Sequence, residues 1–211
     1  MEHDDEEVRG LPGRLPKGEA LLWQGAPEWR RLARNAFHTH LVAVYFGVVL
    51  AWAVIDGLVP GGVASPAGIV TTAALGAVAL GLLYLLAWLA ARTTVYSITS
   101  KRVVLRTGIA LSKCVNLPFN VIADANLSAN SDGTGDIALA LNAKGLSYAV
   151  MWPHVRPWRL AKPEPMLRAL PDAARVARLL ADACVAAVPG GRRGVIEAPA
   201  DGATYGGAVT A

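Results

Sequence analysis

From Leu41 to Ala91 the sequence is almost continuously apolar, and its single charged side chain is Asp56. Two stretches within it are long enough to cross a hydrocarbon core as helices, Leu41–Val59 and Ile69–Ala91, the second without any charge. Residues 60–68, PGGVASPAG, carry the Pro and Gly of a short connecting turn. Beyond Ala91 the period changes. Thr94–Thr99 and Arg102–Thr107 are β-branched runs joined at Ser100-Lys101, which predicts a β-hairpin. Further short strands are expected at Cys114–Leu117, Ile122–Leu127, Ile137–Leu141 and Ser147–Trp152, separated by turn signals such as Asp132-Gly133-Thr134-Gly135 and Lys144-Gly145. After Pro171, the residues Val176, Leu179, Leu180, Ala183 and Ala187 recur at helical spacing, so one amphipathic helix ends the regular pattern before Pro189-Gly190-Gly191.

Before the apolar block, residues 1–18 form an acidic, then Gly- and Pro-rich tail, and residues 19–40 a juxtamembrane segment. Within that segment Ala20–Gln24 suits a short strand. Trp23 and Trp29 suit either the membrane interface or packing on a soluble domain. Residues 189–211 have no apolar period and are expected to be disordered.

Charge then orients the chain. Arg30, Arg31 and Arg34 precede the block and Arg92 follows it, whereas residues 60–68 contain no Lys or Arg. The positive-inside rule therefore predicts a periplasmic loop and two cytoplasmic termini in a bacterial inner membrane. Basic residues that flank spans, with a net charge of only +4, do not make the stripe expected of a nucleic-acid binder. Cys114 and Cys184 form no CxxC pair, and the histidines show no metal-ligand spacing.

Small residues recur every four positions in both spans, as Ala43, Gly47 and Ala51 and as Ala73, Ala77 and Gly81. That spacing lets helix backbones approach, within the hairpin or in a homodimer; Ala- and Gly-rich composition alone also produces it.

Catalytic signatures are missing: there is no GxSxG, HExxH or GxxxxGK[ST]. Asp132, Thr134 and Asp136 alternate like the start of a calcium loop, but Ala143 stands where the loop would need Glu, so a tight turn using Gly is expected. Neither an enzymatic activity nor a bound cofactor or metal is expected. The densest binding-type chemistry is WPHVRPWR, with Trp152, His154, Arg156, Trp158 and Arg159 on a proline-stiffened backbone. Trp and Arg are enriched at binding hot spots. The segment is accordingly a candidate partner-binding surface; the competing expectation is a rigid crossover with its Trp rings buried.

A sheet followed by one helix is the order of a pleckstrin-homology (PH)-like domain, a small antiparallel sheet or partly open barrel capped by a C-terminal helix. The expected fold is a two-helix transmembrane hairpin plus a cytoplasmic α+β PH-like domain at residues 92–188. LPKGEALLWQGAPEW, RNAFH, YSITSKRVVLRTGIA, the NLPF turn, SDGTGDIAL and WPHVRPWRLAKPEPMLRALPD together resemble the PuhB family over about residues 15–188. That family comprises candidate assembly proteins for the photosynthetic reaction centre of purple bacteria. The resemblance implies a non-catalytic membrane assembly factor whose partners are reaction-centre subunits and light-harvesting 1 polypeptides. Two other functions compete: a small membrane pigment-handling protein or enzyme using His38, His40 or His154, and a generic module sensing membrane lipids through Arg30, Arg31 and Arg34.

Overall fold

A computed structural model describes residues 13, 15–142, 146–187 and 195–198 of the chain. It divides into two compact units, Trp29–Arg92 and a second made of the chain before and after that insert.

The insert is helical. α1 (Trp29–Asn35) precedes α2 (Thr39–Leu58) and α3 (Pro66–Thr93). At 1.5 Å per residue, α2 and α3 are about 30 and 42 Å long, and their most apolar windows have mean hydropathies of 2.1 and 2.2. Both are therefore long and apolar enough to span a membrane. Leu41, Val44, Trp52, Ile55, Leu58, Val70 and Leu82 are all exposed, so the insert does not bury its own apolar surface. The connecting turn is built by Asp56, whose carboxylate accepts the N–H groups of Val63 and Ala64 at 2.9 and 2.8 Å. Ser65 then caps α3 by accepting the N–H of Gly68 at 3.1 Å, with Pro66 at the first helical position, so α3 starts three residues before Ile69.

The small-residue rows do not pack this hairpin. Ala43, Gly47, Ala51, Ala73, Ala77 and Gly81 are exposed, and nothing lies within 4 Å of a Cβ built at Gly47 or Gly81. The close approach is made by Phe46 against Gly76, where an added Cβ would stand 2.9 Å from the ring. Within the hairpin, one bulky ring meets one glycine in place of a row-on-row contact, which leaves the homodimer alternative for these rows untouched.

The second unit holds two four-stranded sheets. The first is antiparallel in the order β1 (Leu21–Gly25), β2 (Val95–Thr99), β3 (Arg102–Thr107), β4 (Lys113–Pro118). The expected hairpin at Ser100-Lys101 joins β2 to β3, but residues 19–25 are not merely juxtamembrane. Leu21 pairs with Thr99 and Gly25 with Tyr96, so the apolar insert interrupts a sheet that has already begun. Gln24 reinforces the pairing by donating to the Ser97 hydroxyl at 2.9 Å. Upstream, Glu19 receives both Nε and Nη2 of Arg102 at 2.8 and 2.9 Å. Burial opposes ionisation of Glu19, yet the guanidinium holds its carboxyl below the usual value.

The second sheet has the order β7 (Met166–Leu170), β6 (Gly135–Leu141), β5 (Ile122–Ala129), β8 (Val195–Ala198). The DGTG turn joins β5 to β6, with Gly133 at φ +81° and Asp132 accepting both the N–H and hydroxyl of Thr134. Ser147–Trp152 is not a strand: Tyr148–Met151 form one helical turn, α4. β8 pairs in parallel with β5, which corrects the expectation of no regular structure across 189–211. Most of that tail, the acidic N-terminus and Lys144-Gly145 lie outside the described residues.

α5 (Ala173–Ala187) closes the core, burying Ala173, Val176, Ala177, Leu180 and Ala183. Tyr96, Ile98, Val103 and Leu105 of the first sheet share this core with Leu127, Ile137, Leu139 and Leu167 of the second. Burial of a Leu, Ile or Val contributes roughly 1.5–3 kcal/mol each, which makes this cluster the unit's main source of stability.

Candidate partner-binding site

The WPHVRPWR segment leaves α4 at Met151 and returns to β7 at Met166. His154 donates its N–H to the Met151 carbonyl at 2.7 Å, and its own carbonyl accepts the Met166 N–H at 3.0 Å. Arg156 N–H donates to the Glu164 carbonyl at 2.9 Å, and Val155 bridges to Pro165. The segment is thus a loop with a ladder-like base and a tip at residues 157–163.

The base is tied to a buried polar network. His154 is 1% exposed, with Nδ1 2.6 Å from the Tyr96 hydroxyl and Nε2 3.0 Å from that of Thr94. The Tyr96 oxygen already accepts the Arg168 N–H at 3.2 Å. Its hydrogen is then best directed at Nδ1, which places the imidazole proton on Nε2, facing Thr94. Burial, with the nearby Arg168 cation, pushes the His154 pKa down to about 3, so the ring is neutral near pH 7. Burial likewise raises Tyr96 above its ordinary value and keeps it protonated.

Arg168 donates from Nη1 to the Pro153 carbonyl at 3.1 Å and lies 3.9 Å from the Asp136 carboxylate. Asp136 accepts the N–H of Ala169 at 2.7 Å, holding that residue at φ 51°, while the Ala169 carbonyl accepts the Glu28 N–H at 2.8 Å. Burial raises the Asp136 pKa against the opposing pull of Arg168.

The expected partner-binding residues therefore separate into three roles. His154 belongs to the core. Arg156 is half-buried and pairs with Glu164 at 2.9 Å, with Arg159 on the other carboxylate oxygen at 3.7 Å. Trp152, Trp158 and Arg159 face outward, Trp158 being 87% exposed. The expectation of buried Trp rings at a rigid crossover does not hold. Trp158 also has φ 63°, a left-handed conformation that costs a bulky residue roughly 1–2 kcal/mol. Such strain concentrates at functional sites, where the surroundings enforce it; here Pro157 and the double pairing to Glu164 constrain the tip.

Two features escaped sequence reasoning: exposed Leu160, which extends the aromatic surface, and Glu164, which organises it. Leu160 was adjacent to the motif and so available. The eight-residue separation of Glu164 from Arg156 matches no local rule.

The span-flanking cations lie as follows. Arg30 stacks over Trp29 at 5.3 Å and Arg92 over Trp88 at 5.2 Å, while Arg31 is half-buried and Arg34 exposed in the last turn of α1. Trp29 is only partly exposed, and Trp23 packs against the core of the second unit. His38 and His40 have ring centroids 6.3 Å apart. No group of three or more His, Cys, Asp or Glu is placed to hold a metal ion among the described residues.

The chain is similar to an uncharacterized 23.7 kDa protein of Rhodobacter capsulatus named for its place in the puhA 5' region. Identity is 41% over 187 residues, covering 87% of each protein. No solved structure matches. The sequence profile of the bacterial PH domain spans residues 32–183, taking in α2, α3, the strands β2 to β7 and most of α5. On that match, which covers well over half of its length, the chain belongs to the bacterial PH domain family.

Proposed function

We propose that this is a PuhB-type, non-catalytic membrane factor that helps assemble the photosynthetic reaction centre and its light-harvesting 1 ring. α2 and α3 cross the inner membrane with both termini in the cytoplasm, and the PH-like unit presents the Trp158 tip to reaction-centre subunits. The observation that carries the proposal is the relative encoded beside puhA, a neighbourhood that supports a reaction-centre association and agrees with the PuhB resemblance. The strained, exposed Trp158 beside Arg159 supplies the contact surface. His154 is a poor candidate for a pigment ligand, because both ring nitrogens face hydroxyl partners in the core.

Deleting the gene should lower assembled reaction centres and slow photosynthetic growth while respiratory growth continues. Normal reaction-centre levels in the deletion strain would refute the proposal. At residue level, the Trp158→Ala/Arg159→Ala variant should keep its membrane abundance, because exposed substitutions change stability by about 0.5 kcal/mol or less. Recovery of reaction-centre subunits in mild detergent should fall about thirtyfold, the consequence of losing a hot spot of about 2 kcal/mol. Undiminished recovery would remove the tip from the contact. Loss of recovery that anionic vesicles restore would assign it to lipid instead. Arg156 is unsuited to this test: its removal strips Glu164 of its closest partner and perturbs the fold itself.

A further inference from the structure

The first sheet has one end that matters for where the PH-like unit meets its surroundings. The chain leaves β1 at Gly25 for α1, and it enters β2 at Val95 from α3. Gly25 pairs with Tyr96, and Val95 pairs with Arg106, so both connections to the apolar insert lie at the same end of the sheet. Arg106 in turn faces Cys114, and Thr107 faces Lys113. The β3–β4 turn, Gly108–Ser112, therefore projects from that same end.

This turn is apolar where a solvated turn would be polar. Ile109 is 45% and Leu111 78% exposed, with Ala110 and Ser112 also outside. Its shape is built in: Gly108 has φ +124°, and a Cβ there would collide with the Leu111 carbonyl oxygen, so only glycine lets the turn fold back in this way. Arg106 and Lys113 flank it, and no acidic residue occurs between Lys101 and Ala123.

We infer that the Gly108–Ser112 turn seats in the lipid bilayer that holds α2 and α3, with Ile109 and Leu111 entering the acyl boundary and Lys113 meeting headgroup phosphates. This rests on the proposed membrane placement of those helices. Covalent reach supports it. Val95 follows the last residue of α3 by two positions, which allows about 7 Å at most. The turn extends up to three residues past the Val95–Arg106 level, about 10 Å at strand spacing. Trp88 and Arg92, at the end of α3, form an aromatic–cation pair of the kind found at bilayer interfaces. Exposed apolar side chains rimmed by cations are the chemistry of an interfacial anchor.

The test uses the full chain in nanodiscs of phosphatidylcholine with phosphatidylglycerol, in a Cys114→Ser/Cys184→Ser background. An environment-sensitive fluorophore is attached at Leu111→Cys, with Leu82→Cys on α3 and Ser131→Cys on the β5–β6 turn as references. The Leu111 label should emit to the blue of the Ser131 label. It should be quenched several-fold more by lipid carrying a nitroxide near the headgroup than by aqueous iodide. A water-like Leu111 label beside a lipid-quenched Leu82 label would overturn the inference alone. A Leu111 label shielded from both quenchers would also overturn it, because a protein surface would then cover the turn. A Leu82 label in water would remove the membrane placement and the inference together.

Discussion

His154 gives the most quantitative test of the domain's construction. Its neutral ring sits between Tyr96 and Thr94, with a pKa pushed down to about 3 from an ordinary 6.5. The folded state therefore resists protonation that the unfolded chain accepts. The depressed value means that the contribution is intact above about pH 6.5 and is lost as the pH falls from there towards 3. At about pH 5 the preference of the unfolded imidazole for a proton costs about 2 kcal/mol of stability relative to pH 7.5. For a domain of about 100 residues this lowers the melting temperature by on the order of 10 °C. Asp136 works in the opposite sense: its raised pKa makes the folded state the better proton binder towards the carboxylate range. The readout is accordingly the difference between wild type and His154→Gln, in which the Asp136 contribution cancels. Gln cannot titrate, and its loss of the Tyr96 bond should cost about 1–3 kcal/mol at neutral pH. The assay is thermal unfolding of the full chain in mild detergent at the two pH values. Wild type should lose about 2 kcal/mol more than the variant between them; equal losses in the two proteins would refute the buried neutral imidazole.

Three further outcomes are expected. Met151→Ala, at a fully buried position, should cost about 2–5 kcal/mol and lower abundance, whereas Trp158→Ala at the exposed tip should cost about 0.5 kcal/mol or less; chemical denaturation of the two variants checks the contrast. Gly108→Ala should destabilise by about 1–3 kcal/mol, because it forces a side chain into an unfavourable φ and against Leu111, and unfolding midpoints would report it. Alkaline phosphatase inserted at residues 60–62 should be active and fused at the C-terminus inactive; activity at the C-terminus would overturn the proposed topology.

How far the fold could be read from sequence followed from how local its determinants are. α2, α3 and the β2–β3 hairpin are announced by runs of a single period, and α5 by a 3.6-residue repeat ending before Pro-Gly-Gly. β7 was hidden because Met166–Leu170 are buried on both faces, which erases the alternation that marks a strand. Ser147–Trp152 has strand-like residues, but four of its positions close a single helical turn instead. β1 looks locally like any short extended run, and its partner Thr99 lies across the whole apolar insert. For the candidate site, composition pointed to the WPHVRPWR segment, part of which is exposed. It could not sort the roles, because His154 is buried by Thr94 and Tyr96 from about sixty residues upstream. Glu164, which decides which arginine is structural, is equally invisible to motif spacing.

The interruption of the first sheet also sets an order of events at the ribosome. β1 emerges first and has no sheet to join until β2 is made, after every residue of α2 and α3 has been synthesised. Until then its hydrogen-bonding edge must stay solvated or held. The pairing of Leu21 with Thr99 also closes a loop of some eighty residues, a contact formed late because its loop entropy is spent before any local reward. The completed sheet is consequently a record that the apolar insert has already been translated. A recombinant fragment beginning at Arg92 would leave the β2 edge bare along its length, open to pairing with other copies. Expression of the PH-like unit alone therefore calls for a fusion that carries residues 19–28 across a short linker in place of the insert.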